Sequence, residues 1–107
     1  MYPAHTDSSL VTVMPRSTAS GLEAKDLSTG EWFPAEDVMA TDECILFVGD
    51  AIDYASEHRY PALMHRPAVS RGGGGGGGAA LGGGALHRIS SPFFLYPKDT
   101  ARLTPKE

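Results

Sequence analysis

The sequence predicts an all-β fold of short antiparallel strands with one brief helical stretch. Candidate strands outnumber candidate helices, no long amphipathic helix is visible, and the apolar runs are closed by Pro or Gly. Leu10 to Met14 is short and rich in β-branched residues, with Pro15 to stop it. "GLEAKDL" (21–27), "STGE" and "WFPAE" read as a hairpin with Gly30 in its turn. "ECILFVGD" (43–50) is a continuous apolar run, as expected of a strand buried on both faces, with Gly49-Asp50 as the closing turn. "AIDYASEH" (51–58) fits one or two helical turns, because Ile52 and Ala55 share a face. "ALMHRPAV" (62–69) and "HRISSPFFL" (87–95) are two further strand candidates. An antiparallel sandwich, a jelly roll or a barrel satisfies this pattern.

At 107 residues the chain has the size of one small domain. Its composition is 41% hydrophobic and 21% charged, with net charge −4 and no basic stripe, so nucleic acid is not an expected partner. The longest strictly apolar run, Cys44 to Val48, is too short to span a bilayer, and the N-terminus has neither the basic start nor the apolar core of a signal peptide. No membrane partner is expected, and the cytoplasm is the default location. Cys44 is the only cysteine, so no internal disulfide is available; within its apolar run it is expected in the core, in a reducing compartment. Ten of the 13 residues from Gly72 to Gly84 are Gly. Such a tract buries too little surface to offset its ordering entropy, and it lacks the flanking elements of a phosphate-binding loop. It is expected to be a flexible insertion in a hairpin loop, at 72–84.

Chemistry is concentrated first in "AHTDSS" (4–9). On a strand, residues i and i+2 project from one face, so His5 and Asp7 can share a target such as a metal ion. Such a pair often arises by composition, and it gains meaning only in company. Trp32 and the pair Phe93-Phe94 are expected to pack in the core, whereas Glu23, Lys25, Asp26, Glu36 and Asp37 are expected on a solvated face.

The company comes from order along the chain. His5-x-Asp7 is followed by a hairpin carrying Trp32, an apolar strand ending Gly49-Asp50, "YPALMHR" (60–66), and Arg88-Ile-Ser90 leading into "SPFFL". This succession resembles the C-terminal catalytic region of the Fe(II)/2-oxoglutarate-dependent dioxygenases, in the isopenicillin N synthase-like branch, from about residue 4 to residue 98. The resemblance implies the C-terminal part of a double-stranded β-helix (jelly roll) occupying residues 1–107. It further implies that His5, Asp7 and His65 are metal ligands, and that Arg88 and Ser90 hold the far carboxylate of 2-oxoglutarate. Arg88 lies 23 positions after His65; without the 13 residues of Gly72–Gly84 the gap is 10, close to the family spacing. If Arg88 and Ser90 face inward, positions 92 and 94 do so too, and His87 faces away. His58 falls at the end of the helical stretch, which leaves His65 as the favoured third ligand.

Two imidazoles and one carboxylate form a facial triad that leaves positions open on Fe(II) for 2-oxoglutarate and O2. The resemblance therefore implies hydroxylation or desaturation of a small organic substrate, coupled to decarboxylation of 2-oxoglutarate. Two other outcomes are compatible with the same residues: a non-catalytic jelly-roll remnant that binds metal or a partner, and an oxidase of the same branch that does not use 2-oxoglutarate. Family members carry a helical region and the first jelly-roll strands upstream of His-x-Asp. The chain is accordingly expected to be a fragment, a truncated gene model or a degenerate copy, with exposed sheet edges. The sequence does not indicate an oligomeric state.

Overall fold

The structure, a computed structural model, describes residues 3–68 and 88–104. The Gly-rich segment 72–84 and His87 lie outside the described residues, so the expectations placed on them have no structural counterpart. Among the described residues there are six strands: β1 (Val11–Pro15), β2 (Leu22–Lys25), β3 (Trp32–Pro34), β4 (Cys44–Val48), β5 (His65–Pro67) and β6 (Phe93–Leu95). A 3-10 turn, Ala35–Val38, follows β3, and a short helix, α1 (Asp50–Ala55), follows β4. The strands form two three-stranded antiparallel sheets, ordered β4-β1-β6 and β3-β2-β5. The expected hairpin is present, with Glu23 opposite Pro34 and Lys25 opposite Trp32. Pro15 ends β1 as its last paired residue, opposite Cys44.

The core follows from strand alternation. In β1 the inward residues are Thr12 and Met14, and in β2 they are Leu22 and Ala24; all four are buried. Met14, Leu22, Ala24, Ala35 and Phe47 form one cluster, with Ile45 and Leu63 packed against it. The two sheets thus contribute facing side chains to a single layer.

Several expectations about burial require correction. β4 is not buried on both faces: Phe47 is 6% exposed, whereas its neighbour Leu46 is 63% exposed. β4 pairs only with β1, and its outward residues have nothing packed over them among the described residues. Cys44 is for the same reason an exposed free thiol and not a core residue. Phe93 and Phe94 are exposed as well, on a strand that among the described residues pairs only with β1. Trp32 is half-buried on the outer side of the second sheet, where the Arg66 guanidinium lies 3.8 Å from its ring centroid. Asp50 begins α1 instead of closing a turn. The candidate strand 87–95 is a ladder only over Phe93–Leu95, since Pro92 has no N–H to donate.

Candidate metal centre and surrounding pocket

His5 and His65 are 60 positions apart, yet they are direct cross-strand neighbours. An isolated antiparallel bridge joins them, with His5 N–H donating to His65 C=O (3.0 Å) and His65 N–H to His5 C=O (2.9 Å). In such a pair the side chains project to the same side, and the ring centroids are 4.5 Å apart. Asp7, two residues after His5, meets the Nε2 edge of both rings. Its Oδ1 is 3.5 Å from His5 Nε2 and 3.3 Å from His65 Nε2.

Each group is oriented by a second partner. Nδ1 of His5 is 3.0 Å from Pro3 C=O, and Nδ1 of His65 is 2.9 Å from Leu63 C=O. A carbonyl only accepts, so Nδ1 carries a proton in each ring and Nε2 is the nitrogen placed to bind a metal. Thr12 Oγ1 donates to Asp7 Oδ2 at 2.7 Å and is itself 2.8 Å from Ser9 Oγ. Both Thr12 and Ser9 have 0% exposure. Asp7 Oδ2 is therefore engaged, and Oδ1 faces the imidazoles. The backbone of this loop is strapped to the start of α1: Asp50 N–H donates to Asp7 C=O, Ala51 N–H to Ser9 C=O, and Gly49 N–H to Leu10 C=O. Gly49 is required by that approach, because a Cβ there would meet Ser9 C=O at 2.2 Å.

The donor set suits one metal ion. The three donor atoms all lie within 4.8 Å of one another, and an ion about 2.1 Å from each donor needs them roughly 3 Å apart for right-angle coordination. Two neutral imidazoles with one carboxylate match the donors of non-haem iron sites. His58 is remote from this group; it pairs with Asp53 at the end of α1.

A cavity of about 470 Å³ opens beside these residues. Met14, Leu22 and Phe47 form its apolar wall, and the Phe47 ring lies 4.9 Å from that of His65. Arg88, Ser90, Pro92 and Phe94 line it from the other side. This is the alternation expected from the sequence for positions 88, 90, 92 and 94. Ile89, between them, points away and pairs with Thr18, donating its N–H to Thr18 Oγ1 and accepting from Thr18 N–H.

The structure corrects the sequence reading of one residue bonded to the cavity-lining Arg88. Glu36 is not on a solvated face but 1% exposed. Its carboxylate accepts N–H bonds from Ser17 (2.7 Å), Gly21 (3.0 Å) and Leu22 (3.0 Å), and one from Arg88 Nη2 (3.1 Å). Burial alone would raise its pKa, but the Ser17 hydrogen bonds and then Arg88 outweigh that effect and hold it below its ordinary 4.5. Thr12 and Ser9 were likewise not singled out. Thr12 was detectable in principle, as the one polar residue on the inward side of β1; a Glu in a 3-10 turn gives no such signal.

A two-sheet β fold with a His-Asp-His cluster at the mouth of an apolar cavity defines a class of metal-binding jelly rolls, and sequence comparison assigns the family. The chain belongs to the 2OG-Fe(II) oxygenase superfamily, whose family model matches residues 1–97. It is 28% identical over 105 residues to DMR6-like oxygenase 2 of Arabidopsis thaliana, covering 98% of this chain and 25% of that protein. It is 30% identical over 69 residues to flavonol synthase 1 of Crocosmia x crocosmiiflora, covering 64% of this chain and 20% of that one. Among solved structures it is similar to dioxygenase for auxin oxidation 1 of Arabidopsis thaliana in its binary complex with 2-oxoglutarate. That match has a TM-score of 0.69 and 28% identity, over 96% of this chain and 34% of the other. The fold is thus a jelly roll, and Fe(II), 2-oxoglutarate and O2 are the metal and co-substrates of the family. The chain spans a quarter or less of the length of these curated relatives. Among the described residues no helix is long and apolar enough to cross a membrane.

Proposed function

We propose that this chain is the C-terminal part of the catalytic domain of an Fe(II)/2-oxoglutarate-dependent oxygenase. In this reading His5, Asp7 and His65 hold the metal, while Arg88 and Ser90 receive the far carboxylate of 2-oxoglutarate. The substrate is a small organic molecule that is hydroxylated or desaturated. The observation that carries the reading is the orientation of the cluster: both Nε2 atoms converge on Asp7 Oδ1, with each Nδ1 and Asp7 Oδ2 already engaged elsewhere.

Fe(II) held there supplies the activation of O2 that accompanies conversion of 2-oxoglutarate to succinate and CO2. The remaining contributions belong to the protein. Asp7 neutralises one charge of the ion, and the backbone carbonyls of Pro3 and Leu63 fix the imidazole tautomers. Arg88 offers a permanently charged fork with parallel donors, and Ser90 a hydroxyl, from the same side of the cavity. Met14, Leu22 and Phe47 give the cavity an apolar wall beside the ligand cluster. The cavity volume falls in the range of small-molecule sites. A cytoplasmic setting is part of the proposal, in keeping with a single free thiol, Cys44.

The test is Fe(II)-dependent formation of succinate from 2-oxoglutarate by the purified protein, with Asp7→Ala and His65→Ala alongside. Succinate from the wild type and none from the variants supports the proposal. Tight Fe(II) binding with substrate oxidation that ignores 2-oxoglutarate would replace it with the oxidase alternative.

A further inference from the structure

Arg88 is not free to turn at the cavity wall. Its Nη2 donates to Glu36 Oε1, its Nε is buried without a hydrogen-bond partner, and its shaft lies against the backbone of Gly21. A Cβ on Gly21 would come within 2.5 Å of both Cδ and Nε of Arg88. Glu36 in turn is fixed by backbone N–H groups of Ser17, Gly21 and Leu22 and is almost fully buried, so its carboxylate cannot swing away. The fixed anion and the bare glycine backbone hold the guanidinium from two directions, with Nε enclosed and the remaining Nη hydrogens not used by Glu36.

We propose that Glu36 is a positioning residue for Arg88, and that together with Gly21 it presets the guanidinium to receive the far carboxylate of a 2-oxo acid. Glu36 has this role only if Arg88 binds that carboxylate, as proposed above. Its negative charge would on simple electrostatics repel a dianionic co-substrate, so positioning and repulsion have opposite signs at this residue. Geometry decides between them. One of the five N–H donors of Arg88 is spent on Glu36, which leaves enough for a carboxylate, and a preorganised fork loses less entropy on binding.

The test measures binding, not turnover. Fe(II)-loaded protein is titrated anaerobically with 2-oxoglutarate and with 2-oxopentanoate, which keeps the chelating end but has a methyl group in place of the far carboxylate. Binding is followed by the visible charge-transfer band. The quantity read is the preference of each variant for the dicarboxylate. Glu36→Gln is expected to reduce that preference about tenfold, with Fe(II) affinity and the 2-oxopentanoate titration unchanged. Gly21→Ala, which leaves Glu36 charged but displaces Arg88, is expected to reduce it similarly and keeps the test open if Glu36→Gln folds poorly. Equal weakening of both acids, or a stronger preference in Glu36→Gln, overturns the proposal. Arg88→Met separates the two levels: if it abolishes the preference while Glu36→Gln and Gly21→Ala retain it, only the role of Glu36 fails. If Arg88→Met leaves the preference intact, the assignment of Arg88 fails, and that of Glu36 with it.

Discussion

Asp7 presents Oδ1 to the imidazoles because Thr12 engages Oδ2 from the buried side. Thr12→Val keeps the shape of the side chain and removes the donor, freeing the carboxylate to rotate. Metal affinity is then expected to fall roughly 10- to 100-fold, with Thr12→Ser close to wild type; calorimetric titration with Mn(II) as a redox-inert probe reads both. Glu36 adds a pH signature at the same scale. Its folded pKa lies below the ordinary 4.5, so between the two values the unfolded chain binds more protons. The stability it contributes is complete above its ordinary value and is lost as pH falls through the lowered folded value. Urea unfolding of wild type and Glu36→Gln is expected to show a gap at pH 7 that closes as the pH falls below the ordinary 4.5 and through the lowered folded value; a gap independent of pH would contradict the assigned charge state.

At the scale of elements, β4 and its junction with α1 carry the clearest consequences. Phe47 points into the core against Met14 and His65, whereas Leu46 points outward, so adjacent apolar residues differ in cost. Phe47→Ala is expected to destabilise by about 3–5 kcal/mol and Leu46→Ser by no more than about 0.5 kcal/mol, both measured by urea denaturation. Gly49→Ala forces a Cβ against Ser9 C=O and must displace the loop that carries Asp7, so Mn(II) affinity is expected to fall along with stability. The succession of strands along the chain is legible in the sequence, and so is the 88, 90, 92, 94 alternation once Arg88 and Ser90 are taken as inward, because period-two patterning survives folding. The one-sided burial of β4 was not, since a run of apolar residues reads alike whether one face or both are covered. Glu36 was misjudged for a related reason: backbone N–H groups from a distant loop satisfy it, and local sequence does not record them.

For the whole molecule, the outward residues of the first sheet form an apolar surface. Val13 lies beside Leu46 and Phe93, and Val11 beside Val48 and Leu95; Leu46, Phe93 and Leu95 are each about 60% exposed. A surface of this kind on a 107-residue chain is expected to produce concentration-dependent association in sedimentation velocity, reduced by Leu46→Lys. A monomer at all concentrations would count against that exposure. The assembly of the metal centre is also a long-range property of the chain, because it depends on segments 60 positions apart in the sequence meeting at the His5–His65 bridge. The most direct test is an anaerobic Fe(II) titration of the wild type beside His65→Ala and His58→Ala. One ion per chain is expected in the wild type and in His58→Ala, with binding lost in His65→Ala. Binding that survives His65→Ala, or that depends on His58, would contradict the assignment of His5, Asp7 and His65 as the metal site.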